Sequence, residues 1–334
     1  MKIAIDAQGL TSGHAVRGIG VYLRELLNAN FVLGYHNVKI LENGYQGLTE
    51  KFDVVHFTSF NPFRISVPDT KPVGTKFVLT IYDLIPLIYP KHYPSGIKGW
   101  LNWEKNKNLI KKNVDGILTI SETSKKDICR FMKIDPKKVF VTYLAARPIF
   151  KKLDIEDRKS EMIKRYHVPD FFVLYVGDIN YNKNIPNLVE ACKIARTPLV
   201  IAGKQAAEIE YMNLNHPELK HLRKIDWTTV VRPGYVPDED LVTLYNMANC
   251  FIQPSLYEGF GLPSLEAYAC ETPIVATKTQ ALTEILGDEF EYVDPNDPKS
   301  IAKGILKPNI NKRLPRLYSW EVTAKETMQV YKTI

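Results

Sequence analysis

Twelve short apolar runs along the 334-residue chain constrain its fold more than any other feature. In the first half, segments near 20–29, 97–113 and 122–132 are typical of helices and separate these runs. Strands that alternate regularly with helices form parallel sheets with helices on both faces. The sequence therefore predicts an α/β protein built on doubly wound parallel sheets. The predicted strands are KIAIDA, VKILE, DVVHFT, KFVLTIYDL, GILTIS and VFVTYL, then FFVLYVGD, PLVIAG, TVVRPGYV, CFIQPS, PIVAT and FEYVD.

A charged connection separates the two series of strands. Residues 146–168 contain no predicted strand, and a chain of this length suits two domains better than one. We therefore predict a first domain over 1–165 and a second over 166–318. The remaining segment, 319–334, has the pattern of an amphipathic helix.

The composition is that of a globular protein. Hydrophobic residues make up 45% of the chain, and no apolar run reaches the eighteen or so residues of a transmembrane helix. The opening MKIAIDAQGL favours a buried strand over a secretory signal. Four scattered cysteines lack the spacing of metal ligands, so we expect reduced thiols and no metal site. These features predict a cytoplasmic protein.

The positive charge is concentrated in the first half of the chain. The net charge is +7; residues 1–150 carry 21 Lys and Arg against 12 Asp and Glu, and residues 151–334 carry 23 against 25. Such an excess favours an acidic partner: a phospholipid surface, a pyrophosphate-linked acceptor or nucleic acid. A solvated surface is the alternative. Because the chain has no recognised nucleic-acid motif, we do not expect nucleic acid to be the partner.

A basic, tryptophan-containing stretch lies within the first half. Residues 92–112 combine Trp100, Leu101 and Trp103 with several lysines. Basic amphipathic helices of this kind can lie on anionic membranes. The alternative is a surface helix whose aromatic side chains pack on the sheet. The lysines are Lys98, Lys105, Lys107, Lys111 and Lys112.

The stretch YEGFGLPSLEAYACETPIVAT contains two glutamates, Glu258 and Glu266, separated by seven residues. The pattern predicts a strand, a loop with Gly259 and Gly261, a short helix and a second strand. Pro263 suits the first helical position, where no amide hydrogen is needed. Glu258 is then predicted on the loop, and Glu266 about one turn into the helix.

This predicted loop has the chemistry of a sugar-nucleotide site. Open α/β sheets bind ligands at the carboxyl ends of their strands. Amides at a helix start, together with the helix dipole, favour a phosphate. A carboxylate on each side accepts hydrogen bonds from sugar or ribose hydroxyls. The alternative is a helix N-terminus with two solvated acids.

About twenty consecutive residues here resemble the E-x7-E signature of retaining GT-B glycosyltransferases, especially the large family 4. The resemblance implies two facing Rossmann-like domains, with the last helix crossing back onto the first. It implies an acceptor in the first domain and a nucleotide diphosphate sugar in the second, without a metal. It also implies that Glu258 binds the hydroxyls of the sugar and Glu266 those of the ribose.

Two further segments match the family. LYVGDINYNKN resembles the phosphate-binding element VG-x4-RKN, with Gly177 at its glycine and Lys183 at the lysine that contacts the phosphates. Asn182 stands where arginine is common, so one cation is missing. TVVRPGYVPDEDLVTLYNMAN resembles the segment whose main chain, near Tyr235 and Val236, contacts the base.

Glycines are expected to contact the donor in two places. The resemblance puts the amides of Gly259, Phe260, Gly261 and Leu262 on the phosphates. It puts a loop with Gly18 and Gly20, before the first long helix, against the diphosphate and the acceptor. A flexible turn is the alternative for that loop. A dinucleotide site fits poorly, because Gly18 comes about ten residues too late after the strand and Leu23 stands at the third glycine position.

LTIYDLIP departs from the family. Tyr82-Asp83 stands where histidine-aspartate is common, with the histidine near the transferred sugar. A phenol is not cationic near pH 7, so either Tyr82 substitutes in positioning the sugar or activity is altered. The predicted catalytic residues are thus Glu258, Tyr82, Asp83 and Lys183.

The resulting hypothesis is a retaining hexosyltransferase of polysaccharide biosynthesis. It would move a sugar from a UDP- or GDP-sugar to a glycan or lipid-linked acceptor, without a metal or other cofactor. The substitutions at 82 and 182 keep open a non-catalytic nucleotide-sugar-binding subunit.

Overall fold

A computed structural model of the protein describes residues 1–11, 18–35, 37–42, 44–45 and 50–334. The chain forms two compact units. The first consists of Met1–Ala145 together with Tyr318–Ile334, and the second of Ala146–Leu317.

The first unit is built on a parallel sheet. Within the described residues its six strands lie in the order β2-β1-β3-β4-β5-β6. Their apolar side chains are largely buried because helices cover both faces of such a sheet. The strands are β1 (Ile3–Asp6), β2 (Val38–Leu41), β3 (Val54–Phe57), β4 (Lys76–Thr80), β5 (Gly116–Thr119) and β6 (Val139–Val141).

Five helices precede residue 146 in the described part of the chain. They are α1 (Gln8–Thr11), α2 (Gly18–Val32), α3 (Ile85–Ile88), α4 (Gly96–Asn113) and α5 (Glu122–Met132). The start of α5 is set by Ser121, whose hydroxyl accepts the Ser124 amide at 3.0 Å. This is the usual way in which serine satisfies an amide at a helix N-terminus.

The second unit contains another six-stranded parallel sheet, in the order β12-β11-β10-β7-β8-β9. The strand order reverses between β7 and β10, which is the switch point where such sheets bind ligands. Its strands are β7 (Val173–Val176), β8 (Leu199–Ala202), β9 (Val230–Gly234), β10 (Cys250–Gln253), β11 (Ile274–Thr277) and β12 (Tyr292–Val293). The two sheets confirm the predicted α/β fold class.

The helices of the second unit connect these strands. They are α6 (Glu156–Tyr166), α7 (Ile185–Ala195), α8 (Lys204–Ala207), α9 (Asp238–Met247), α10 (Leu262–Ala269), α11 (Gln280–Leu286) and α12 (Pro298–Leu306). Pro298 and Pro263 lie within the first two positions of α12 and α10, where the missing amide hydrogen costs nothing.

The connection from 146 to 165 belongs to the second unit, not to the first as the predicted boundary at 165 required. Phe150 and Met162 are buried in the core of the second unit. Asp240 of α9 accepts hydrogen bonds from Arg165 at 2.7 Å and from Tyr166 at 2.6 Å, both on α6. These bonds attach the charged segment to α9, and its composition alone did not indicate them.

The final helix, α13 (Trp320–Thr333), returns to the first unit. It packs on α2, and the ring of Trp320 lies 6.3 Å from that of Tyr22. Ser319 caps the helix by accepting the Val322 amide at 3.2 Å.

A buried histidine on β3 connects α13 to the sheet. His56 Nε2 lies 2.7 Å from the Thr80 hydroxyl of β4, and Nδ1 lies 2.6 Å from the Tyr331 hydroxyl of α13. Burial lowers the pKa of the His56 ring from 6.5 to about 3. The ring is therefore neutral at pH 7, with one nitrogen donating and the other accepting.

This histidine predicts an acid-sensitive first unit. Below about pH 6.5 the unfolded chain binds a proton that folded His56 does not bind until about pH 3. Stability is therefore fully present above pH 6.5 and is lost as the pH falls, by at most about 1.4 kcal/mol per pH unit. We expect His56→Gln to remove this slope, as measured by urea unfolding between pH 7 and 5.

Tyr331→Phe is the matched control. It leaves a buried ring nitrogen without its partner and should cost about 1–3 kcal/mol at every pH, with the slope retained. A Trp227→Phe background restricts tryptophan fluorescence to the first unit. Equal slopes for His56→Gln and the parent would contradict the prediction.

Candidate functional site

Two asparagines join the loops that follow β7 and β10. The side chain of Asn182 donates to the Tyr257 carbonyl at 3.0 Å, and the main-chain carbonyl of Asn182 accepts the Leu256 amide at 2.8 Å. Asn184 donates to the Pro254 carbonyl at 2.9 Å. Asn182, which replaces the arginine common in the resembled family, is buried and holds the loop that carries Glu258.

An ion pair lies at this switch point. Lys183 Nζ lies 2.8 and 2.9 Å from the two carboxylate oxygens of Glu258. Glu258 is only 6% exposed and also accepts from Gln253 at 2.8 Å and Ser255 at 2.5 Å. The carboxylate is thus fixed in position, whereas the Lys183 side chain remains 22% exposed. A charged pair of this kind, beside a helix start, can bind both a hydroxyl and an anion.

The glycine-containing loop leads directly into α10. Gly261 has φ +107°, a conformation that L side chains rarely adopt, and Phe260 is buried. Leu262 begins α10, and Pro263 follows it. As predicted, Glu258 lies on the loop and Glu266 lies in the second turn of the helix. The positive end of the α10 dipole is therefore at the carboxyl end of β10.

Glu266 lies in a separate polar cluster. The Arg147 guanidinium places Nε and Nη2 each 3.0 Å from Glu266 Oε1. Tyr245 donates to Glu266 Oε2 at 3.4 Å. Burial raises the pKa of the Glu266 carboxyl, and Arg147 acts against that rise. Arg147 also binds Asp238, at the start of α9, at 2.5 Å.

Sequence analysis did not identify Arg147. It is 119 residues from Glu266 in the chain and belongs to no motif. It is buried, with the ring of Phe150 4.6 Å from its guanidinium carbon. No spacing in the sequence pointed to this contact.

The other predicted nucleotide-binding positions of the second unit lie at the ends of its strands. Gly177 follows β7, has φ +141°, and donates its amide to the Ala202 carbonyl at 3.0 Å. Tyr235 and Val236 follow β9; Tyr235 is 58% exposed and Val236 is buried. All of them lie at the carboxyl edge of the sheet, on the same side as Glu258.

The structure corrects the prediction of a glycine loop in the first unit. Gly18 and Gly20 lie in the first turn of α2 rather than in a loop before it, and Gly20 is buried. The reason is that the apolar residues of this helix begin before Gly20, so the glycines do not mark a loop in front of it. Residues 12–17, which precede them, lie outside the described residues.

Tyr82 and Asp83 follow β4 in the first unit. The Tyr82 hydroxyl donates to the Thr58 carbonyl at 2.8 Å, and its ring lies 5.4 Å from that of Tyr22, edge to face. Burial raises the pKa of Tyr82 well above its ordinary value. Asp83 accepts the Ile85 amide at 3.1 Å. The proton of Tyr82 is therefore already donated within the protein, which leaves its oxygen only as an acceptor.

Helix α4 exposes Trp100 and Leu101 of the predicted set, but not Trp103. Trp103 is buried in the core, and Lys107 forms an ion pair with Glu104. Neither side chain therefore belongs to the exposed apolar surface of the helix. By contrast, the first turns of α4 carry three exposed apolar side chains: Ile97 (82%), Trp100 (57%) and Leu101 (56%). The alternative of core packing thus holds for Trp103 alone.

The described residues include neither a candidate metal site nor a candidate transmembrane helix. No group of three or more His, Cys, Asp or Glu is arranged to hold a metal ion in the part of the chain that the structure describes. Within the same residues, no helix combines the length and apolarity needed to cross a membrane.

Family profiles match both halves of the chain. The profile described as "Glycosyl transferases group 1" matches residues 158–316, and "Glycosyltransferase Family 4" matches residues 12–145. Among curated relatives, O-antigen chain mannosyltransferase B of Escherichia coli is 27% identical over 274 residues, which cover 77% of this chain and 70% of that protein. Serotype-specific mannosyltransferase WbdA of Escherichia coli is 29% identical over 75% of this chain but only 32% of its own length.

Solved structures share the fold. Anabaena HepE, in complex with UDP and glucose, aligns with a TM-score of 0.64 at 16% identity, over 99% of this chain and 95% of that one. Sucrose-phosphate synthase from Thermosynechococcus elongatus aligns with a TM-score of 0.62 at 18% identity, over 100% and 94%. At these sequence identities, the structural similarity establishes the shared architecture.

The strained glycine before α10 gives a direct test of the site's backbone. Gly261→Ala should destabilise the second unit by about 1–3 kcal/mol, because the substitution forces an L residue to φ +107°. Its Cβ would also lie 2.6 Å from Leu282 Cδ2. Hydrogen exchange of peptides from the second unit measures the loss.

Gly18→Ala is the matched substitution. Its φ is not positive, and no atom of the described residues lies within 4 Å of its Cβ. The stability of the first unit should stay constant or rise by up to about 1 kcal/mol. Unchanged exchange in Gly261→Ala would show that the loop adopts another conformation in solution.

Proposed function

The chain belongs to the group 1 glycosyltransferases of family 4, with the GT-B fold, and on that basis we propose that it is a retaining hexosyltransferase. The donor would be a UDP- or GDP-sugar and the acceptor a glycan or a lipid-linked sugar. Mannose is the first candidate for the transferred sugar, because the relatives named above are mannosyltransferases. The observation that carries the proposal is the Lys183–Glu258 pair at the switch point beside the start of α10.

In this proposal Glu258 binds hydroxyls of the transferred sugar. Its carboxylate is already oriented by Gln253 and Ser255, so little reorganisation is needed when the donor binds. Lys183 has three donors and can contact a phosphate oxygen while it remains beside Glu258. The α10 dipole adds a second source of positive potential. Glu266 would bind the ribose, and the main chain at Tyr235 and Val236 the base.

The proposed reaction breaks the bond between the anomeric carbon and the diphosphate oxygen. The acceptor hydroxyl attacks the same face, and its proton passes to the departing phosphate, which acts as base. Negative charge grows on the diphosphate as the bond breaks, so a fixed cation there lowers the barrier most. Lys183 and the helix start supply that stabilisation, and the family resemblance implies no metal. Because its donor is a nucleotide sugar, we place the reaction in the cytoplasm.

Tyr82 supports a second candidate function. With its proton donated to Thr58, the phenol can only accept a bond from a sugar hydroxyl. Asn182 is engaged with the Glu258 loop and adds no charge to the phosphates. A non-catalytic nucleotide-sugar-binding subunit would tolerate both substitutions. Transfer and hydrolysis assays with a panel of UDP- and GDP-sugars separate the two: binding without turnover favours the subunit.

The ion pair predicts opposite effects for its two members. Lys183→Ala should weaken binding of the nucleoside diphosphate about tenfold to a hundredfold and leave the free nucleoside unaffected, since a charge-assisted bond contributes about 1.5–3 kcal/mol. Glu258→Gln should abolish most turnover and leave diphosphate affinity equal or tighter, because Lys183 loses a competing carboxylate. Calorimetry and steady-state transfer assays measure both.

Lys193→Ala, on the exposed side of α7, is the matched lysine control and should change neither quantity. If Lys183→Ala weakened nucleoside and diphosphate equally, the phosphates would not lie at this lysine. If Glu258→Gln kept full turnover at saturating donor, the carboxylate would have no role in the sugar site.

We also propose that the first turns of α4 contact an anionic membrane that carries the acceptor. The exposed side chains of Ile97, Trp100 and Leu101 would insert among the lipid headgroups. Lys98 and Lys105, both exposed on the same helix, would add electrostatic attraction. The excess of basic residues in the first half of the chain supports this contact.

Vesicle sedimentation tests the membrane contact. Wild-type protein should pellet with vesicles containing phosphatidylglycerol, and less at 150 mM than at 50 mM salt because each lysine contributes about 1 kcal/mol within a Debye length. Replacing Ile97, Trp100 and Leu101 with Gln should abolish pelleting without changing donor affinity. Neutralising the exposed lysines of α4, which are Lys98, Lys105, Lys111 and Lys112, should remove the salt dependence.

Tyr211→Gln provides the control, since Tyr211 is an exposed aromatic residue of the second unit. It should pellet like the wild type. A wild-type protein that does not pellet at either salt concentration would indicate an acceptor free in solution.

A further inference from the structure

Arg147 has no role in the reaction as proposed, yet it is one of the most constrained charged side chains in the second unit. Its residue is 9% exposed, and it binds carboxylates from two different helices. Burying a guanidinium is costly unless its donors are satisfied. Arg147 is therefore not an ordinary surface arginine, and its burial calls for a specific role.

The contacts fix the guanidinium in orientation as well as in position. Nε and Nη2 both lie 3.0 Å from Glu266 Oε1, and Nη1 lies 2.5 Å from Asp238 Oδ2. The ring of Phe150 packs 4.6 Å from its central carbon. A planar group held at both edges and on one face cannot rotate without breaking a bond.

This arrangement engages the two oxygens of Glu266 unequally. Oε1 accepts a hydrogen bond from Arg147 Nε and lies 3.0 Å from Nη2, whereas Oε2 accepts one long bond, 3.4 Å, from Tyr245. A carboxylate oxygen has two acceptor sites. Arg147 thus contacts Oε1 alone, and Oε2 has acceptor capacity beyond the Tyr245 bond.

Arg147 also acts on the neighbouring loop. Asp238, its second partner, begins α9 two residues after Val236. One side chain therefore connects the carboxylate proposed for the ribose with the segment proposed for the base.

We propose that Arg147 is a positioning residue for the nucleoside half of the donor. It would orient Glu266 toward the ribose hydroxyls, and so make the protein select ribonucleotides over deoxyribonucleotides. This inference rests on the proposed function, since it takes the donor to be a nucleoside diphosphate sugar. A purely structural ion pair would affect stability and leave the choice between ribose and deoxyribose unchanged.

The test compares a nucleoside diphosphate with its 2′,3′-dideoxy counterpart, using UDP or GDP, whichever binds the wild type more tightly. Calorimetry should show at least a tenfold preference for the ribose form in the wild type. Arg147→Lys keeps a positive charge but cannot hold both carboxylates in one plane. Its preference should fall to within threefold, chiefly through weaker binding of the ribose form, and the donor KM should rise with kcat little changed.

Lys183→Ala is the matched comparison. It should lose affinity for both ligands alike and keep the wild-type preference. Asp238→Ala, at a side chain that is 40% exposed, removes only one attachment of Arg147 and should give an intermediate preference. It serves as the test if Arg147→Lys does not fold.

Two outcomes would overturn the inference, and they can be distinguished. A folded Arg147→Lys protein with the wild-type preference would leave Arg147 as a structural ion pair, with the proposed function intact. If neither UDP nor GDP bound the wild-type protein, both the inference and the proposed function would fail.

Discussion

The carboxylate of Glu258 is almost completely removed from water, and a buried charge must be met by donors that the protein itself supplies. Those donors come from three places: Gln253 at the end of β10, Ser255 in the loop, and Lys183 in the turn after β7. Satisfying one side chain therefore holds the two central strands of the second sheet and their loops in register. The strand order reverses at this point, so the same bonds that stabilise the carboxylate also shape the ligand-binding edge.

Similar polar contacts organise the rest of the molecule. His56 connects β3 to a helix that lies 275 residues later in the chain, and Arg147 connects the beginning of the second unit to α9 and α10. Asp240 attaches α6 to α9. In each case an apolar core brings the elements together, and one buried polar group with specific partners selects their relative position. We propose a function for those buried polar groups that can still form a hydrogen bond with a ligand.

Sequence reasoning identified every strand among the described residues, because a buried parallel strand is a short apolar run between polar loops. It extended some strands too far: KFVLTIYDL continues past β4, since Ile81 and Leu84 are buried without belonging to the strand. The Glu258 loop was predicted because the residues that define it lie close together in the sequence. Arg147 and the His56–Tyr331 contact were not, because their partners are distant in the chain. The side of α4 that faces the core was also missed: Trp100 and Trp103 have the same chemistry, and only packing separates them.

The return of α13 to the first unit has a consequence for synthesis on the ribosome. Residues 146–317 must be made before Tyr318–Ile334 can cover α2 and meet His56. At about 5–20 residues per second this interval lasts about 10–35 s. During that time all residues of the first sheet have been made and the sheet can form, but the face that binds Trp320 and Tyr331 has no cover. The second unit, which is continuous in the chain, can finish folding before the first, although it is translated after most of it.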